Sequence, residues 1–528
     1  MALRHVNAVI VGAGAGGGVV AKELAAAGLS VVLLERGKWH SARRWAPGSA
    51  PMTNATRASW WTSRAGSPWS PLPTAATATT RRALAAAPSA MAPWPGVLWR
   101  RISACAQPTA RLRAARSRIG PSLTRTSNRT MKRPNGKWAS RVTIPAIPSR
   151  GLGGNKEHQV LLPAAKRLGL HPFEIPMLRN TVPYNGRRAC MRCRWCVGFA
   201  CEVNARTGTH NTVIPTALAT GSCELRTDCM TKEILLDSAG RANGVAYFDA
   251  SDRLQRQTAD LVIVAGGAVE SARLLLNTRH RLFPDGLGNR HGWVGRNLQS
   301  HSYAGATGLF GFDTFDDLGP GASIAISDYN HGNPGLAGGA MLANEFIRLP
   351  YQFMGQVPPW VPRWGTEHKE FVRDAYRRTI VIMGPVQEMP LADARVQLDA
   401  KVKDHWGIPV ARLSGGRHPH TIEIGRYIAT KAEEWLKEAG AVHTWKRAPA
   451  KSLSGGQHQA GTCRMGTDPK TSVVDRDCRI HDMDNVYVID ASVHVTNGGF
   501  NPVLTILAKA YRASERLLQG WKGTKARS

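Results

Sequence analysis

Between Arg36 and Lys156 the chain has no aspartate or glutamate: 121 consecutive residues carry 22 Lys+Arg and not one carboxylate. All 37 acidic residues lie outside that window. A formal charge of +32 over 528 residues would ordinarily point to nucleic acid or an anionic membrane. Here the excess is local, because removing the 22 window cations from +32 leaves +10 for the rest. The window's charge has no interleaved organisation, so no nucleic-acid partner is expected. Also missing is any apolar run of 18 or more residues, which excludes a helix that crosses a membrane. The apolar N-terminal stretch lacks the charged leader and cleavage site of an export signal. Internal repeats are absent too. What is present, 43% hydrophobic residues and 53 glycines, fits an α/β protein with tight turns.

The first 36 residues carry the clearest local pattern. The β-rich VNAVIV leads into Gly12-Ala13-Gly14-Ala15-Gly16-Gly17, then the helix-forming VVAKELAAAG, then the apolar SVVLLE. In such a strand–turn–helix–strand unit Gly12 allows the tight turn, Gly14 lets the backbone approach a pyrophosphate, and Gly17 permits close helix–strand packing. The helix N-terminus offers unpaired N–H groups to the phosphates. Glu35, 18 residues after Gly17, ends the second strand where it can accept hydrogen bonds from a ribose. A dinucleotide site follows. Its position at the start of a long chain favours FAD over NAD.

The C-terminal segment reads HQAGTCRMG from His458 to Gly466, VIDAS from Val488 to Ser492, and NPVLT from Asn501 to Thr505. With VIVAGGAVESARLLL (262–276) and VGRNLQSH (294–301), these runs resemble the glucose–methanol–choline (GMC) oxidoreductases, FAD enzymes that oxidise alcohols. VPYNG (182–186), the cysteine-bearing 187–221 and VQLDAKVKDHWGIPVARL (396–413) are most similar to the gluconate 2-dehydrogenase large-subunit branch. The resemblance implies His458 as the base that takes the alcohol proton, a task suited to an imidazole near neutrality. It implies Asn501 as the group holding the substrate oxygen. Asp490, Ala491, Asn501 and Pro502 would meet the flavin. His301 and His494 read as core or pocket-lining histidines.

Four of the nine cysteines, Cys190, Cys193, Cys196 and Cys201, fall at C-x2-C-x2-C-x4-C. Thiolates so spaced can wrap an iron–sulfur cluster, and the resemblance implies one in this region, as a one-electron exit for reduced flavin. Zinc binding, or cysteines that merely pack, are the other readings. The branch further implies a small subunit and a cytochrome c acceptor, with membrane association only through such partners. The compartment stays open between cytoplasm and a periplasmic location reached by co-export with a partner.

The acid-free window is the one stretch where the resemblance vanishes. Reading each codon one base out of register repairs it. Single-codon residues force some outcomes: Met131-Lys132 must give Glu, and Trp138-Ala139 must give Gly. With free third bases, Arg118 to Arg141 can read DWPISYEDLEPYYEKAEWEMGVS, an acidic amphipathic segment of the family's type. We therefore read residues about 40–150 as translated out of frame, with edges near 38–50 and 141–152. A chain so altered would lack the loop that covers the flavin, and an inactive product is the alternative to an active enzyme. A GMC oxidase that uses oxygen is the other alternative. The expected architecture is α/β: a discontinuous Rossmann-like FAD-binding domain (1–40, 150–300 and 450–528) with an inserted antiparallel-sheet substrate domain (300–450).

Overall fold

The structure, a computed structural model, describes residues 4–39, 153–197, 199–447, 449–453 and 458–525. Nearly all of the acid-free window, and with it the out-of-frame reading, lies outside the described residues.

In chain order the first strands are β1 (Val6–Val11), β2 (Val31–Leu34), β3 (Phe173–Glu174), β4 (Cys223–Arg226), β5 (Met230–Leu236), β6 (Ala242–Phe248) and β7 (Leu254–Val264). Then come β8 (Tyr303–Leu309), β9 (Ile324–Ile326), β10 (Leu342–Asn344), β11 (Thr379–Pro385), β12 (Arg395–Lys403), β13 (Pro409–Ser414), β14 (His443–Arg447) and β15 (Val486–Val488). They form a seven-stranded sheet ordered β4-β2-β1-β7-β6-β5 with β15 also on β7, a six-stranded sheet ordered β14-β8-β11-β10-β9-β3, and the β12-β13 ribbon.

The long strand β7 explains the mixed character of the first sheet. Its second half, from Ala259, runs parallel to β1 and is almost wholly buried. Its first half pairs antiparallel with β6 and alternates between exposed and buried residues. Strands covered on both faces need continuous apolar sequence, whereas half-exposed strands alternate. The helix Ala15–Ala26 covers β1 on one side and packs against the C-terminal helix Val503–Lys525. Both chain ends therefore share one core, which includes Ile10, Val20, Leu24, Val264, Val488 and Ala513.

The second sheet is antiparallel and two-faced. Ala304 and Ala306 of β8, Ile380 and Ile382 of β11 and Leu342 of β10 point to a core with Ile424, Ile428, Ala432 and Trp435 of the helix Pro419–Glu438. Burying each Ile there contributes about 1.5–3 kcal/mol. That helix starts with Pro419, whose missing N–H costs nothing in the first turn, and stops before Gly440, held at φ +93°. The pairing register puts Tyr303, Gly305 and Thr307 on the opposite face, with Val381, Met383, Pro385, Ala343 and Arg447. This second face looks toward the site described below. The helix Lys156–Arg167 and β3 also join this sheet's layer: Leu161 accepts the Trp435 indole N–H at 3.0 Å and β3 pairs with β9.

Glu157, in the first turn of that helix, accepts the Asn344 amide at 2.7 Å. Burial pushes its carboxyl up to about 7, against the pull of Asn344 and Arg348. A raised folded-state value means the native protein holds the proton more tightly than the unfolded chain. That stabilisation is complete below the ordinary carboxylate range and is lost as pH rises through about 7. Glu157→Gln should therefore flatten the fall in unfolding midpoint between about pH 5 and pH 8. Parallel pH profiles for the two proteins would refute it.

Candidate active site

The turn after β1 is built to leave room against its own sheet. Gly12 sits at φ +103°, and a Cβ there would lie 2.4 Å from the Ala265 carbonyl oxygen. A Cβ on Gly17 would lie 1.9 Å from the Gly12 carbonyl oxygen, which is the helix–strand closeness the spacing suggested. Gly14 is the extended residue that caps the helix Ala15–Ala26. Gly16, which the spacing argument passes over, is as constrained: its Cβ would meet the Ile489 carbonyl oxygen at 1.8 Å. Glu35 is buried and accepts the backbone N–H of Ala13 and of Gly37, each at 2.8 Å. It lines a cleft that Gly12, Arg36, Met230 and Thr231 also line. The Thr231 hydroxyl is buried there with no hydrogen-bond partner among the described residues.

The C-terminal runs fold onto this turn. Asp490 accepts from the Gly267 N–H (2.7 Å), the Ser271 hydroxyl (2.5 Å) and the Ser492 N–H (2.7 Å). Those contacts all go to protein groups, so its carboxylate ties the Gly267 turn to the Ala491–Val493 turn. Ala491 in turn accepts the Gly461 N–H at 3.2 Å. Asn501 and Pro502 are buried just before the helix Val503–Lys525, and the Asn501 Oδ1 has no hydrogen-bond partner among the described residues.

His458 stands beside these residues at φ +57°, its carbonyl held by the Asn497 amide at 2.7 Å. Its Nδ1 lies 2.9 Å from the Nδ1 of His301 and 3.5 Å from the Tyr303 hydroxyl. Loss of solvation pushes His458 down to about 4. His301 falls well below the ordinary imidazole value, chiefly through burial and then through the adjacent His458. His494 is lowered likewise by burial, with Lys509 adding to it. Burial, and then the nearby Glu345, raises the Tyr303 phenol, so it stays a neutral hydroxyl that can accept as well as donate. His301, read from the sequence as a core or lining residue, is thus in direct contact with His458. Tyr303 was missed altogether, because only pairing of β8 with β11 and β14 shows which of its faces meets the site.

A buried ion pair fixes His301. Arg417 donates to Glu388 at 2.8 Å, and Glu388 accepts the backbone N–H groups of Ser300 (2.5 Å) and Ser302 (3.2 Å) on either side of it. Burial raises the Glu388 carboxyl above its ordinary range; Arg417 and the two amides oppose that shift. Removing one partner of such a pair leaves a buried charge uncompensated, which costs about 3–5 kcal/mol.

The cysteine expectation is corrected here. Among the described residues no group of three or more His, Cys, Asp or Glu side chains is arranged to hold a metal ion. Arg179 explains part of this: its guanidinium reaches the Cys190 sulfur at 3.8 Å and also faces Cys196, while Cys201 lies toward Arg187. Burial, and next Cys193, pushes the Cys196 thiol up to about 11, while Arg179 and Arg206 pull it down. The described residues thus lend an iron–sulfur cluster no support.

Residues 135–303 and 390–510 match the two GMC oxidoreductase models, and the chain belongs to the GMC oxidoreductase family, whose members bind FAD. It is 31% identical over 366 residues to 6'''-hydroxyparomomycin C oxidase of Streptomyces lividus, a match covering 68% of this chain and 63% of that protein. It is 25% identical over 405 residues to the gluconate 2-dehydrogenase flavoprotein of Pantoea cypripedii, covering 68% and 62%. The matched part thus spans less than two thirds of either relative. The crystal structure of a pyridoxine 4-oxidase from Mesorbium loti shares the fold at TM-score 0.59 and 15% identity, over 97% of this chain and 98% of that one. Among the described residues no helix is long and apolar enough to cross a membrane.

Proposed function

We propose that this protein is an FAD-dependent dehydrogenase that oxidises an alcohol group of a sugar acid, sugar or polyol. One observation carries the reading: an unprotonated imidazole, His458, and an amide with an unused acceptor, Asn501, both lie against the Tyr303 hydroxyl on the second sheet. When bound, FAD supplies the hydride acceptor. Gly12, Gly14 and Gly17 would approach its diphosphate and Glu35 its ribose, while Ala491, Asn501 and Pro502 would line the flavin half. Asp490 would hold that half's wall rather than touch the ring. His458 takes the hydroxyl proton, and Asn501 orients the substrate oxygen. Residues 1–40, 150–300 and 450–528 would form the cofactor-binding part. Residues 300–450 would form the substrate wall, with the helix Lys156–Arg167 leaning on it.

Electrons then leave through a partner, for which a small subunit and a cytochrome c are the proposed acceptors. Relatives named as an oxidase and as a dehydrogenase keep oxygen as the second reading. The test is anaerobic addition of gluconate, glucose or sorbitol to the FAD-loaded full chain, followed by flavin absorbance. Bleaching by at least one of them is expected. Failure of all three to bleach a fully loaded flavin would sink the reading. Admitting air and then cytochrome c to the reduced protein separates the two acceptors. The out-of-frame reading of 40–150 is checked by resequencing the gene there: an unaltered frame, with flavin loading intact, would refute it.

A further inference from the structure

We infer that His301 is a positioning residue that fixes the tautomer of His458, through a chain of hydrogen bonds that begins at the Gly498 carbonyl. The His301 Nε2 lies 2.6 Å from that carbonyl oxygen. A carbonyl oxygen can only accept, so this nitrogen carries the hydrogen. His301 is buried at 2% exposure and has no carboxylate partner, so it is neutral, and its Nδ1 holds a lone pair. The 2.9 Å Nδ1–Nδ1 bond to His458 then has one possible hydrogen, on His458. The reverse assignment would set two lone pairs against each other, at His301 Nε2 and Gly498 O. A neutral His458 with its hydrogen on Nδ1 has a bare Nε2. That atom is the base.

The device is local to one loop. Gly498 lies three residues before Asn501, so the segment that supplies the substrate-orienting amide also sets the base. The rings meet at 87° with the two Nδ1 atoms 2.9 Å apart. Glu388 and Arg417 keep the His301 backbone in place. In the step itself the alcohol O–H bond breaks and its proton goes to His458 Nε2. Bound FAD would supply the acceptor for the C–H hydride, which balances the step. The imidazolium so formed keeps its Nδ1–H bond to neutral His301, which becomes charge-assisted and therefore stronger than before the transfer.

This inference rests on the alcohol-oxidising role proposed above, but the tautomer does not. Nitrogen-15 NMR of the histidine-labelled full chain reads it directly. His458 is expected to show a protonated Nδ1 and a bare Nε2, and His301 the opposite pattern. A bare Nδ1 on His458 would overturn the assignment whether or not any alcohol is oxidised. In the FAD-loaded protein, His301→Gln keeps an acceptor and a donor at nearly the imidazole spacing, and it should retain kcat within a few-fold. His301→Phe keeps the ring volume but not the acceptor. It should lower kcat by about 10- to 100-fold with KM little changed. Equal rates in the two variants would also overturn the role. If the tautomers are as expected and no alcohol reduces the flavin, the functional reading fails and the tautomer assignment stands.

Discussion

Replacing His458 with asparagine is expected to leave a folded, flavin-binding protein whose kcat is lower by about 10²- to 10⁴-fold. Asparagine is the informative choice because His458 sits at φ +57°. Left-handed backbone costs an ordinary L-residue about 1–2 kcal/mol, and Asn tolerates it better than Ala. The substitution thus removes the base without straining the turn, and the Asn497 amide can still hold the residue 458 carbonyl. The pH profile is a second readout. With His458 pushed down to about 4, the base stays unprotonated through the neutral range. The wild-type kcat/KM should show no fall from this group until the pH approaches that value, and the limb should vanish in the variant. Steady-state rates across a pH series check both. A variant retaining more than a tenth of kcat would remove His458 from the reaction.

The second large effect concerns Gly16. Gly16→Ala should abolish stable flavin binding and destabilise the fold by more than about 3 kcal/mol. The added methyl would lie 1.8 Å from the Ile489 carbonyl oxygen, 2.9 Å from the Ile489 carbonyl carbon and 3.5 Å from the Asp490 Cα. All are backbone atoms, so no side-chain rotation relieves the clash. Either the helix Ala15–Ala26 moves off β1 or the segment after β15 moves off the first sheet. Both movements open the core the chain ends share. Gly520→Ala, in the exposed last turns of the C-terminal helix with nothing within 4 Å of the new methyl, is the control. It should stabilise slightly, since Ala exceeds Gly in helix interiors by about 1 kcal/mol. Flavin-to-protein ratio and denaturant titration measure both variants. Wild-type flavin content in Gly16→Ala would mean the cofactor does not lie against this turn.

The cradle at Gly12–Gly17 was legible in the sequence because its physics is local: a turn, a helix start and a strand within 31 residues, from Val6 to Arg36. The second sheet was legible in outline, since strand-like runs mark it. Its working face was not, because register decides whether Tyr303 or Ala304 meets the site, and register is set by partners up to 142 residues away, as in Gly305 with Arg447. His301 was undervalued for the same reason. A lone histidine near a serine carries no sign of a bond to a residue 157 positions later. The cysteines erred the other way. Their spacing allows a cluster, but spacing does not reveal that Arg179 reaches Cys190. Gly16 was passed over because the pattern gives its place to any residue, whereas here the Ile489 carbonyl excludes a side chain.

The meeting of Gly16 with Ile489 also bears on synthesis. The strand β1 finds one neighbour, β2, almost at once, but the other, β7, only some 250 residues later, and β15 joins β7 last. The cofactor turn is therefore made long before the strands that complete it. For most of translation its apolar strand has an unpaired edge, the kind of exposed surface that invites aggregation and chaperone capture. Contacts this distant in sequence also make folding slow. A nascent chain stopped before Val486 would carry every glycine of the cradle and none of the wall that Ile489 and Asp490 provide. Such a chain should bind no flavin, and supplying the cofactor during expression should raise yield only once the C-terminal helix has emerged.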